Sequence, residues 1–508
     1  MEESKTGWLT LIVVTLSMFI IVIDKTFLNV AISTLITDLH TDIVTIQSII
    51  AIYSLIMASL MIPGGKLQDV LGRRKTFLLG AFIYGVGAVI ASLSINSSML
   101  LLGWSVLEGM GAAFMMPATT SIISGTYSGE RRAFALGIIS SMASGAGTIG
   151  PIIGGFLTTY YSWRYAFALE LVVILAIFLL SREISSFPTT IKWSDFDVAG
   201  ALYSASGIFL LVEGILLLND PQTWNISLPM MLAGLILLSF FYFHQKRKIS
   251  KGESALLDIA LFNNRAFSFG NIARLIMNFV IGGVLFVIPV FIQLILGIDP
   301  LTTGLTLIPM SLGIFVLSFT AGKVSSRFQA RYILSVGFLV AMAGSIYLSL
   351  TFSPHTTILD MMPGILLLGV GMGIVFPHSA NVIFATARQD QQPDASGIMN
   401  TGINLGSAMG TAVLGVILIL GGFGSLEMGN TGHTTDYPVQ LKDIPGKLGI
   451  GSGSAEVNSV VTPVDSGKIN TMKYAFDVIS LVLLLGMVFS LLIPLRKRTP
   501  HARYPWNQ

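Results

Sequence analysis

Fourteen apolar runs, each long enough to cross a bilayer, limit what this chain can fold into. A helix needs about 20 apolar residues, at roughly 1.5 Å each, to cross about 30 Å of hydrocarbon. Runs of that kind fall at 9–31, 46–65, 76–93, 99–121, 134–157, 165–180, 198–218, 228–243, 268–296, 301–324, 332–351, 358–384, 395–420 and 474–493. Little is left between them for a soluble core. Of the 508 residues 53% are hydrophobic and 11% charged, where a soluble domain carries about a quarter charged. The apolar residues come in unbroken blocks rather than in a 3.6-residue stripe, so the solvent of these helices is lipid. The first run is too long for a signal-peptide core and has no small-residue cleavage site after it, so it is expected to stay as the first span.

Basic residues orient the spans. With the N-terminus inside, cytoplasmic segments hold twenty-two of the 29 lysines and arginines, outer segments five, and Lys25 and Arg274 lie within spans. That split obeys the positive-inside rule only for an even number of spans, so both termini are expected in the cytoplasm. The loops after the second and tenth spans open alike, Gly65-Lys66-Leu67 and Gly322-Lys323-Val324. Superposing them makes the first six and last six spans equivalent halves, a parallel repeat of the kind transporters use. The expected division is a six-helix half over 1–182, an inserted helix pair with its cytoplasmic flanks over 183–265, and a second six-helix half over 266–508. The second half carries a long outer loop at about 422–473.

Several function classes drop out. There is no cysteine, hence no disulfide, thiolate zinc site or cysteine nucleophile. A net charge of +3 without an aromatic and basic cluster gives no nucleic-acid surface. Neither a phosphate-binding G-x-x-x-x-G-K-[ST] loop nor an H-E-x-x-H helix is present, and the six histidines are scattered, so no ATPase or intramembrane enzyme is expected. No cofactor or metal is expected, and the chain is read as a monomer. A channel suits the span count but not the motifs that follow.

The loop from Gly65 to Lys75 sets one acid, Asp69, among Lys66, Arg73, Arg74 and Lys75, with Gly72 as a turn. A positive-inside loop explains the bases but not the acid. At the membrane face Asp69 can accept from an arginine or from helix N-terminal amides, as a latch present in one conformation only. The copy at 322–331 lacks the acid, which makes the latch one-sided. The fifth span carries Gly147, Gly150, Pro151, Gly154 and Gly155. A small-residue packing face explains that density. The order Gly150-Pro151 then Gly154-Gly155 adds a bend and a close backbone contact on one helix.

Asp24 and Lys25 lie inside the first span, and Glu108 inside the fourth. A charge at bilayer depth costs several kcal/mol unless paired or hydrated. Asp24 sits about 12 Å and Glu108 about 13 Å below the outer ends of their spans, too deep for short side chains to reach water. A static Asp24–Lys25 ion pair is the alternative to a functional site. Glu170 and Glu213, about 8 Å from the outer end, are read as reaching water. Phe27, Trp104, Phe114 and Met115 are candidate substrate-lining residues, since aromatics and methionine suit mixed lipophilic ligands, although packing explains any one of them as readily.

These motifs carry a family resemblance. Gly65-x-Leu67-x-Asp69-x-x-Gly72-Arg73-Arg74 resembles the signature loop of the major facilitator superfamily, and the run to Gly155 resembles the antiporter motif of its drug exporters. Asp24-x-Thr26-x-x-Asn29-Val30-Ala31 resembles the first-span signature of the fourteen-span drug:proton antiporter family. In the fourth span Ser105 and Glu108 stand where many members carry Arg and Gln. The resemblance implies an all-α membrane fold of two six-helix halves plus two extra helices, in the cell membrane. It further implies proton-coupled export of drugs or other lipophilic or cationic small molecules by alternating access. Substrate, protons and the lipid bilayer are then the partners. A non-drug metabolite exporter, or a membrane sensor that no longer transports, is the alternative. In that fold the first and fourth helices share a half, so Asp24 and Glu108 would face one cavity at one depth and exchange a proton near neutral pH, with Asp24 the principal site.

Overall fold

The computed structural model describes residues 2–127, 129–184, 189, 191–219, 223–353, 355–388, 391–423 and 466–494. Most of the expected outer loop lies outside them, as do the basic C-terminal residues Arg496, Lys497, Arg498 and Arg503. The side chains of Gly322, Lys323 and Arg327, in the second-half copy of the loop, also lie outside what is described.

Each apolar run of the sequence becomes a helix, and no strand occurs among the described residues. The first half holds α1 (Trp8–Val30), α2 (Ile43–Leu71), α3 (Arg73–Ser92), α4 (Ser97–Thr126), α5 (Gly129–Tyr160) and α6 (Arg164–Glu183). A pair follows, α7 (Val198–Leu216) and α8 (Trp224–Ser250). The last six are α9 (Arg265–Ile295), α10 (Pro300–Ser318), α11 (Ala330–Thr351), α12 (Ile358–Thr386), α13 (Asp394–Gly421) and α14 (Gly467–Leu491). Thirteen of these are long and apolar enough to cross a membrane among the described residues, and α5, with 32 residues, holds the remaining run.

Helix ends follow local chemistry. Asp42 caps α2 by accepting from Thr45 N–H at 2.7 Å, and Asn96 caps α4 by accepting from Met99 N–H at 2.9 Å. Asp299 caps α10 by accepting from Thr302 N–H at 3.0 Å. The stretch read from sequence as a loop, 65–75, is almost wholly helical. α2 continues to Leu71, α3 starts at Arg73, and Gly72 alone turns the chain, with a φ of 89° that other residues rarely adopt.

Burial sorts the helices by place. In the most apolar window of α9 83% of residues are buried, against 11% in α8, so α9 is central and α8 faces lipid. α7 joins the pair to the seam between the halves. There Ile208 and Val212 pack with Leu55 and Ala58 of α2 and Ala408 of α13. At the end of the pair where α7 starts and α8 finishes, buried Asp197 accepts from Gly200 N–H and from Gln245 Nε2, at 3.1 and 2.7 Å. Gln245 Oε1 in turn accepts from Leu256 N–H at 2.8 Å, which ties the following linker to the pair.

Candidate functional site

Three helices of the first half each bring one acid to a single place. The segment Leu101–Glu108 of α4 is π-helical, an irregularity that concentrates at functional sites. α3 presses on it closely: a Cβ on Gly87 would lie 2.6 Å from the Gly103 carbonyl oxygen and 2.7 Å from Glu108 Cγ. Glu108 is thereby held inside the half beside Asp24 of α1 and Glu170 of α6. All three are buried, with exposures of 0%, 0% and 2%, and one carboxylate oxygen of each lies within 4.8 Å of the others. Trp104 Nε1 donates to Asp24 Oδ1 at 2.6 Å, and the indole stacks on Tyr53 at 4.9 Å. Tyr84 Oη donates to Glu170 Oε2 at 3.1 Å. The remaining oxygens, Asp24 Oδ2, Glu170 Oε1 and both of Glu108, have no hydrogen-bond partner among the described residues. Three negative charges cannot share so small a buried volume, so this cluster needs protons or a cation among its oxygens.

A second set of contacts lies at the seam between the halves. α5 is wedged there by its glycines. A Cβ on Gly154 would meet Phe27 Cβ of α1 at 2.6 Å, and one on Gly155 would meet the Pro300 carbonyl oxygen of α10 at 2.6 Å. Gly150 abuts the Thr26 hydroxyl, and Pro151 offers its carbonyl side to Gly304. Gly147 is looser, with Val22 Cγ1 at 3.6 Å. At one end of the seam Lys66 Nζ lies 3.4 Å from Asp69 Oδ2 and 3.8 Å from Asp394 Oδ1 on α13, so it reaches across the seam. Asp394 Oδ2 accepts from Asp258 N–H at 2.9 Å, and Arg73 Nη1 donates to the Ser121 carbonyl at 2.7 Å. At the opposite end of the seam Gln293 of α9 accepts from Ser33 N–H at 2.9 Å and donates to the Val30 carbonyl at 2.8 Å.

Comparison with known proteins gives this architecture a family. The model described as Major Facilitator Superfamily matches residues 14–411. The chain belongs to that superfamily. Its similar relatives include the multidrug efflux pump LfrA of Mycolicibacterium smegmatis, 27% identical over 81% of each chain. The methylenomycin A resistance protein of Bacillus subtilis is 27% identical over 84% of this chain and 92% of its own. A solved bacterial homolog to the human lysosomal transporter Spinster, inward-facing and occupied, matches with a TM-score of 0.60 at 16% identity, over 95% of this chain and 96% of that one. At that identity the likeness is one of fold. This superfamily member is therefore a multi-pass cell-membrane transporter of small molecules and not an enzyme.

For this transporter the structure joins some sequence-derived candidates and separates others. Asp24 and Glu108 do meet. Glu170, read from its depth as reaching water, is instead the third member of the cluster. It lies on the buried face of α6 with Phe167, Ile174 and Ile177, while Leu169, Val172 and Leu175 are exposed; both faces are apolar, so the sequence holds no signal for which one turns inward. Lys25 does not pair with Asp24; its Nζ donates to Asn404 Oδ1 of α13 at 2.5 Å. Of the four candidate lining residues, Phe27, Trp104 and Met115 are packed, with exposures of 0%, 2% and 0%. Phe27 meets Phe167 edge-on at 5.2 Å, and Phe114 alone of the four is partly exposed. Asp394 and Asn404, which face first-half residues across the seam, left no local signal in the sequence.

Proposed function

We propose that this transporter exports drug-like lipophilic molecules in exchange for protons, by alternating access between its two six-helix halves. The observation that carries the reading is the buried trio Asp24, Glu108 and Glu170, which bring one oxygen each to within 4.8 Å of the others and leave four of their six without a hydrogen-bond partner among the described residues. Asp24 is the principal proton site and Glu108 its partner. Trp104 and Tyr84 supply hydrogen bonds that hold two of the acids in place. Proton uptake or release there changes the charge beside α1, the helix that also touches α5 and the second half. Gly65, Asp69, Gly72 and Arg73 form the cytoplasmic latch, and the glycines of α5 let α1 and α10 approach closely. Both termini are cytoplasmic in this reading. The names of two relatives, a multidrug efflux pump and a methylenomycin A resistance protein, support the direction and the cargo.

Linkage makes the exchange testable, because substrate that expels protons must itself bind more weakly at lower pH. In proteoliposomes, lipophilic dyes should release protons from the wild type on binding, and an uncoupler should collapse dye transport. Asp24→Asn should abolish the release and flatten the pH dependence, with Glu108→Gln weakening both. Proton release and pH dependence unchanged in the two variants would put the coupling site elsewhere.

A further inference from the structure

Lys25 follows Asp24 directly, yet the two side chains leave α1 in different directions. Asp24 turns into the first half, where Trp104 donates to it. Lys25 turns out of that half, and its Nζ donates to Asn404 Oδ1 at 2.5 Å. Asn404 is held in that orientation, because its Nδ2 donates to the Asn400 carbonyl at 3.0 Å and the residue is 1% exposed. Among the described residues no carboxylate lies within ion-pair distance of Lys25, and Asn404 is its one hydrogen-bond partner. The lysine is itself partly exposed. Arg274, the other cation within a span, is engaged inside its own half, with Nη1 donating to the Phe376 carbonyl at 2.7 Å and its guanidinium 4.6 Å from that ring. An ammonium at membrane depth is costly without a counter-ion, and such charges sit on substrate or ion pathways.

We infer that Lys25 is the counter-charge for the substrate, and that the preferred cargo is a lipophilic organic acid, carrying a carboxylate or similar anionic group, rather than an organic cation. This rests on the export reading above and names its substrate class. An amide oxygen is a weak partner for an ammonium, so an anionic group entering the seam displaces Asn404 and forms a charge-assisted hydrogen bond. A cationic cargo meets the ammonium's repulsion there instead, since none of the three buried acids forms an ion pair with Lys25. The inference has an electrical consequence. Exchanging one inward proton for one outward monoanion moves two charges per cycle, so a negative-inside potential assists it. Exchange for a monocation moves none.

The test uses the full chain in proteoliposomes energised by a proton gradient. The lipophilic monoanion 8-anilinonaphthalene-1-sulfonate serves as the anionic probe, and tetramethylrhodamine methyl ester as the cationic one. The wild type should carry the anionic dye in preference and respond to an imposed potential. Lys25→Gln should raise KM for the anionic dye by about tenfold or more, and Lys25→Arg should keep it within about twofold, as expected for one charge-assisted hydrogen bond. The cationic dye should be unaffected or carried better in Lys25→Gln. Wild-type preference for the cation, or an anionic KM unmoved by Lys25→Gln, overturns the inference while leaving proton-driven export intact. Transport of both dyes that ignores the proton gradient, or of neither dye, overturns the export reading and the inference with it. Should Lys25→Gln not fold, wild-type dye preference and potential dependence decide the matter.

Discussion

Tyr84 donates to one oxygen of Glu170, and the other has no hydrogen-bond partner among the described residues, so a structural role and a role for the charge can be told apart. Substitutions separate the two. Glu170→Gln keeps an oxygen that can accept from Tyr84 and nearly the same volume, but removes the negative charge. Its melting temperature should stay close to that of the wild type, while proton-driven transport falls about tenfold or more, as for a group whose charge is functional. Glu170→Ala leaves the buried Tyr84 hydroxyl without its acceptor and should in addition cost about 1–3 kcal/mol of stability, read as a lower melting temperature. Full transport in Glu170→Gln would make the residue a hydrogen-bond acceptor for Tyr84 and nothing more. None of this was legible from depth along the helix. Depth says how far a side chain is from water, whereas the helix face says whether it points at lipid or at protein.

At the scale of elements, α5 shows how one helix carries two kinds of glycine. Gly154 faces the backbone of Phe27, whose oxygen and Cα would lie 2.7 and 2.8 Å from an added Cβ. Backbone cannot step aside as a side chain can, so Gly154→Ala must push α1 away, at the roughly 1–3 kcal/mol typical of overpacking. Transport should be lost at equal membrane abundance. Gly147→Ala, with 3.6 Å to Val22 Cγ1, makes an ordinary contact and should keep it. Equal activity of the two variants would remove the close approach from the mechanism. The Gly-rich run was plain in the sequence, but which glycine touches what depends on α1 and α10. The signature stretch before α3 differs in the opposite sense. Its charges and its turn at Gly72 suggest a loop, and Gly72 does turn the chain, but the residues before it continue α2 as helix.

Across the whole molecule, the halves are joined at one end, where Lys66 stands between Asp69 and Asp394. Such partly exposed ion pairs are worth up to about 1 kcal/mol each, enough to shift a two-state equilibrium by up to about fivefold. Asp394→Asn should therefore favour opening on this side. The chain has no cysteine, so a single Ile398→Cys, at a site 8% exposed in the inner cluster with Ile62, gives a clean reporter. Its reaction with a membrane-impermeant thiol reagent from the cytoplasmic side should quicken by up to about fivefold in Asp394→Asn, and likewise in Asp69→Asn. Unchanged labelling in both would reduce this stretch to a topology signal.

The helices and their lipid-facing chemistry could be read directly from the chain, because crossing a bilayer is a demand that about 20 consecutive residues meet or fail on their own. The first-half acids Asp24 and Glu108 were legible for a related reason, since a charge within such a run has no cheap explanation. What local pattern could not supply was direction. Neighbouring helical residues point about 100° apart, so Asp24 and Lys25 inevitably face different partners. Which of them enters the acid cluster and which crosses to Asn404 is decided by the helices packed around α1. The same holds for Glu170, turned inward by the packing of α6, and for Lys66 and Asp394, brought to 3.8 Å only when the two halves close on each other.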